Sequence, residues 1–151
     1  MECRECGAIL PGDEGCMDRF HLLLATEQHY PEAAAMHGLF VLTYYAQHPS
    51  LSKLWLRGYQ REVMREIFGQ GRDWREVLAW PTSRQRRQYA VDQQKERFAD
   101  VPETRVFGHP ITGEKTVASL SMPGSTGYPS KYPDEVSAWA KSVAEHRLLT
   151  D

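Results

Sequence analysis

Apolar residues along most of this chain recur every three to four positions, the spacing of one helix face, and nowhere keep the two-residue alternation of a strand. Phe20, Leu23 and Leu24, with Glu27 on the same face, predict a helix from about Cys16 to Gln28. Asp18 favours its positive end. His29-Tyr30-Pro31 stops it, because a residue before proline is pushed out of the helical region. A second helix is expected from about Glu32 to Gln47. Pro31 suits its start, and Pro49 bars continuation past His48. Its middle, Leu39 to Tyr45, is apolar almost all round, which marks it as the central buried helix. Leu54, Tyr59, Val63, Ile67 and Phe68 place one stripe on a third helix, about Leu51 to Phe68, with Arg57, Arg61, Glu62, Arg65 and Glu66 expected to face water. Gly69 and Gly71 end it.

The pattern weakens after that. Asp73 caps a short helical turn holding Trp74, Val77 and Leu78, which Trp80-Pro81 stops. Thr82 or Ser83 caps a further helix through about Phe98, whose start, RQRRQ, is basic and polar. From 99 to 132 the chain is rich in proline and glycine and reads as an irregular segment, with a short helical turn around Thr116 to Leu120 and a loop from Ser121 to Ser130. The last helix starts at Pro133-Asp134-Glu135 and runs to about Leu149, with Val136, Trp139, Ala140 and Val143 on its apolar face. The fold class is therefore mainly α: a compact bundle of four to five helices, with an N-terminal metal-binding loop and a long irregular segment before the last helix.

Composition narrows the setting. A chain of 151 residues is most simply one domain, long enough to bury a core. The formal net charge of −2 gives no general pull towards nucleic acid or acidic membranes. No apolar run approaches the ~20 residues of a membrane span, and Glu2, Arg4 and Glu5 leave no room for a basic-then-apolar export signal. An odd cysteine count without such a signal fits a reducing cytoplasm, where thiols stay free for metal.

The candidate chemistry is concentrated in residues 1–21, which carry all three cysteines: Cys3, Cys6 and Cys16. A Cys-x2-Cys turn points two thiolates at one place, and Gly7 lets that turn close tightly. Zinc takes four nitrogen or sulfur ligands in a tetrahedron, so three cysteines call for one histidine of the six present. Other readings are a disulfide with a spare thiol, three ordinary buried cysteines, or a redox pair. The last usually accompanies a βαβ pattern, which is missing here.

The short break between the first two helices packs them antiparallel. Cys16 then lies beside the end of the second helix, and His48 is the expected fourth ligand. His21 is the runner-up, because Cys16 and His21 give a usable Cys-x4-His spacing on the same segment. His37 is third, because it lies about 16 Å along the helix from His48. The same hairpin brings His37 towards the first helix, where it could meet His21 with Glu27 near one end. Such a His-His-carboxylate group can bind a second metal or serve acid–base catalysis. The plainer reading is a histidine bonded to one carboxylate or carbonyl.

Three pieces of the chain together resemble a bacterial family of unknown function. They are CxxCGAxLP followed by Cys16 and DRFHLLLATE; MHGLFVLTYYAQHPS with its ending Tyr44-x-x-Gln47-His48-Pro49-Ser50; and TVASL paired with VSAWAKSV. The resemblance covers residues 1–50 well and 115–145 loosely. It implies a small, mostly helical bacterial protein that binds metal, and it carries no activity with it.

Three function classes follow. The first is a binding or adaptor module with structural zinc, its partner a protein or a small molecule. The second is a metal-dependent enzyme, using an open position on the cysteine site or the group His21, Glu27 and His37. The third is nucleic-acid binding through residues 84–97, where a solvated helix face is the simpler account. A fourth protein ligand on the metal favours the first class, and a pocket joining His37 to solvent favours the second. Four tryptophans and an apolar second helix suit a homodimer and a monomer core equally.

Overall fold

Helices form where the apolar spacing places them, with two departures that shape the site. The computed structural model describes residues 1–100 and 113–148. Among these, α1 spans Cys16–Glu27, α2 Pro31–Ala34, α3 His37–Gln47, α4 Leu54–Met64, α5 Trp74–Val77, α6 Arg84–Arg97 and α7 Tyr132–Val143. Five of them hold 11 to 14 residues, while α2 and α5 are single turns of four. α4 and α7 each run on into a π-helical turn, Arg65–Gly69 and Ala144–Leu148. No strand forms among the described residues; the β pairing there is an isolated antiparallel bridge between Glu2 and Ile9. The middle of the expected irregular segment, 101–112, and the expected end of the last helix past 148 lie outside the described residues.

The first departure is that the expected helix from Glu32 to Gln47 is two helices. The Met36 N–H donates to the Ala33 carbonyl, one residue nearer than an α-helix requires, and the chain tightens there before α3 begins at His37. Gly38 follows at once and adds little helix-holding strength of its own. The second departure concerns α4. Arg57, Arg61, Glu62, Arg65 and Glu66, expected to face water, are all half-buried. α6 packs on α4 and brings Arg97 to 3.7 Å from Glu62, while Arg57 turns back to the Ser52 carbonyl and Glu66 pairs with Arg72.

The core lies around α3, which packs against α1, α4 and α7. Leu39 and Phe40 from α3 meet Tyr132, Val136, Trp139 and Val143 from α7, all essentially inaccessible to water. Full burial of side chains of this size stabilises a fold by about 1.5–3 kcal/mol each. The one buried indole N–H of this core, on Trp139, donates to Gln47 Oε1 at 3.0 Å, and Gln47 Nε2 donates to the Lys115 carbonyl at 2.7 Å. The end of α3, the middle of α7 and the TVASL turn are thereby joined through one side chain.

α1 and α3 form the antiparallel pair that the short break requires. The Phe20 ring stacks on Tyr44, with centroids 3.8 Å apart and planes 10° apart. One end of the pair brings Cys16 beside His48, and the other brings Glu27 against His37. In all three pairs the residue numbers add to the same total, the mark of one constant register.

Candidate metal centre

Residues 2–9 form a small hairpin-like loop below this helix pair. The Glu2–Ile9 bridge closes it, the Cys3 N–H donates to the Ala8 carbonyl at 2.9 Å, and the Gly7 N–H returns to the Cys3 carbonyl at 2.8 Å. Gly7 makes that return with φ of 78°, in the left-handed region where a side chain is strained. The turn aims Cys3 and Cys6 at the start of α1, where Cys16 is the first helical residue. Cys6 and Cys16 are buried, with their sulfurs 3.4 Å apart and no disulfide between them.

His48 arrives from the far end of α3, as its C-terminal cap. It is 3% exposed, so both of its ring nitrogens have to be accounted for within the protein. Nδ1–H donates to the Tyr44 carbonyl at 2.7 Å. The Tyr44 ring stacks on the imidazole at 4.2 Å, which fixes the ring plane. Nε2 is buried and has no hydrogen-bond partner. The ligand atoms of Cys3, Cys6, Cys16 and His48 all lie within 4.8 Å of one another. A histidine whose outer nitrogen is held by a carbonyl, leaving the inner lone pair directed at thiols, is the usual preparation for a metal.

Electrostatics describe the same place without an ion. The Cys6 thiol is pushed up to about 12, first by the hydrogen bond it shares with Cys16 and then by burial. Burial works against the His48 imidazolium, yet the Cys6 thiol, the Tyr44 carbonyl and the charge of Glu5 hold its pKa above the usual histidine value. Three thiols this close cannot all ionise without a compensating cation. The donor set passes the test of fit for zinc. Tetrahedral Zn–S and Zn–N bonds place donors roughly 3.5–3.8 Å apart, a separation compatible with the span observed. Three sulfurs and one imidazole are a known closed structural set.

Two residues outside the ligand set tie the loop to the bundle, and neither stands out in the sequence. The Glu5 carboxylate accepts from the Ser50 N–H at 3.0 Å and from the Ser50 hydroxyl at 2.8 Å. The Glu5 carbonyl accepts from Arg147 at 2.7 Å, while the same guanidinium pairs with Glu114 at 2.5 Å, wholly buried. The charge of Glu5, directly before Cys6, is the only hint the sequence offers.

The other candidate group does not assemble as a trio. His37 Nδ1 bonds the buried Glu27 carboxylate. His21 is exposed, and its ring lies against Phe20 on its own helix. Six residues separate His21 from Glu27, which sets them about 120° apart around α1, so α3 cannot meet both. Among the described residues, Cys3, Cys6, Cys16 and His48 are the group of three or more cysteine, histidine or acidic side chains whose ligand atoms converge. The basic run of residues 84–97 forms α6, which buries none of its side chains. No helix among the described residues is long and apolar enough to cross a membrane.

Comparison with curated proteins and with solved structures finds no match. A family model does match, and it spans residues 1–147, from the first cysteine loop through the buried Arg147. The chain belongs to that family, DUF5946, a family of unknown function.

Proposed function

We propose that the protein is a zinc protein in which Cys3, Cys6, Cys16 and His48 hold one ion in a closed four-ligand site. The ion's work is structural: it fastens the N-terminal strap to the end of the α1–α3 hairpin where α1 starts and α3 stops. The observation that carries this reading is the buried, unpartnered Nε2 of His48 facing three converging sulfurs. Four protein ligands leave no position for a substrate, so the ion is not a reaction centre, and the protein acts as a binding or adaptor module. Thiols kept free for a metal fit a reducing compartment such as the cytoplasm.

The test is protein purified without added metal. Elemental analysis is expected to give one zinc per chain, and X-ray absorption is expected to give three sulfurs and one nitrogen around it. A site with oxygen from water in place of the imidazole would transfer the metal to the catalytic class. Absence of metal from protein kept reduced throughout would overturn the reading altogether.

A further inference from the structure

A cleft between α3 and α4, on the flank of α3 beside its contact with α1, has no part in the metal site. Its walls follow from two helical stripes. On α3 the positions are His37, Val41, Leu42 and Tyr45, and Leu56 and Tyr59 on α4 face them. Leu78, just past α5, and Trp80 close the third side. The volume is about 310 Å³, at the small end of pockets that hold organic ligands. The lining is almost wholly apolar and rich in aromatic rings, which suits a flat apolar body.

His37 stands at the rim, and the other polar side chain of the lining apart from the tyrosines, Gln60, gives its amide N–H to the Ser52 hydroxyl. The His37 Nδ1 is held by Glu27, and Nε2, on the other edge of the ring, forms no bond among the described residues. Glu27 is 6% exposed and keeps its second oxygen buried without a partner. Burial pushes its carboxyl up, and the bond to His37 partly offsets this. A buried carboxylate is a costly way to hold a histidine that itself stays 59% exposed, if holding is all it does. What the arrangement does accomplish is to turn Nε2 into a directed acceptor beside an apolar cleft.

We infer that this cleft binds a small aromatic molecule carrying one weakly acidic hydroxyl, a phenol, whose O–H donates to His37 Nε2. A carboxylate in its place would put a second negative charge beside Glu27 in an apolar setting. A purely apolar ligand would leave the oriented nitrogen unused.

Calorimetry and amide NMR on the full-length, zinc-loaded chain test this, with 4-isopropylphenol and its methyl ether as probes. The phenol is expected to bind, with shifts at Val41, Tyr45, Leu78 and Trp80, and the ether to bind at least tenfold more weakly. His37→Asn keeps an amide near Glu27 but has nothing at the place of Nε2. It is expected to lower phenol affinity about tenfold and leave zinc content and melting temperature unchanged. Val41→Trp fills the cleft and is expected to abolish binding of both probes while the fold, read from the NMR spectrum, persists. The inference is overturned if neither probe binds at millimolar concentration, if phenol and ether bind alike, or if the shifts fall elsewhere. Zinc content, measured on the same samples, keeps any failure here separate from the fate of the metal reading.

Discussion

Each polar position in the stretch Tyr44-x-x-Gln47-His48-Pro49 has its own task. Tyr44 supplies a carbonyl to His48 Nδ1 and a ring to stack on the imidazole, Gln47 bridges Trp139 and Lys115, and Pro49 follows where α3 has ended. His48→Ala is expected to lower bound zinc well below one per chain and to cost several kcal/mol of stability, about 3 or more, because metal binding is folding energy here. Unchanged stoichiometry would remove His48 from the site. The proton on His48 also sets a direction with pH. Without metal its folded pKa lies above the ordinary value, so the metal-free fold gains from protonation and loses that gain as pH rises through the folded pKa. The ion needs the opposite state, a neutral imidazole. Zinc affinity should therefore fall on acidification, starting at a higher pH than an ordinary histidine would dictate. Release to a chromogenic chelator, followed from about pH 8 to about pH 5, checks this; a flat profile would contradict it.

At the level of elements, the site was legible wherever local rules decide. Proline and glycine punctuation gave the ends of α1 and α3, and a short connection gave their antiparallel packing. That packing was enough to select His48 over His21 as the residue beside Cys16. Longer-range contacts were not legible. Nothing in the periodicity of α4 reveals that α6 will pack on its charged side, whereas the bond of His37 to the single carboxylate of Glu27 is the plainer of the two readings that the hairpin offered. The apolar cleft was hidden for a related reason: its third wall comes from Leu78 and Trp80, beyond a single-turn helix whose placement depends on tertiary contacts. The loop itself makes a local prediction. Gly7→Ala forces a Cβ into the left-handed region and should cost about 1–2 kcal/mol, seen as a lower melting temperature of the zinc-loaded protein. Gly12→Ala, also at positive φ but away from the thiols, should cost a similar amount without loosening zinc.

Across the whole molecule, Arg147 is the tie between the metal loop and the last helix. Its side chain is inaccessible to water and pairs with an equally buried Glu114 carboxylate. Replacing one partner leaves the other charged and alone, at about 3–5 kcal/mol. Arg147→Met should therefore be severely destabilising, while Arg147→Met combined with Glu114→Gln should recover much of the loss. Chemical denaturation of the two variants decides it, and equal stabilities would show that the pair is not coupled.

The constant register of α1 against α3 has one more consequence. The cysteine–histidine site closes one end of that hairpin, and the Glu27–His37 pair closes the other. An occupant at either end restricts the same sliding motion, so each lowers the entropy that the other must still remove. The two sites should behave as thermodynamically linked, and linkage is reciprocal. The factor by which zinc tightens a phenol beside His37 must equal the factor by which that phenol tightens zinc, and titrations run in both orders would measure one number twice.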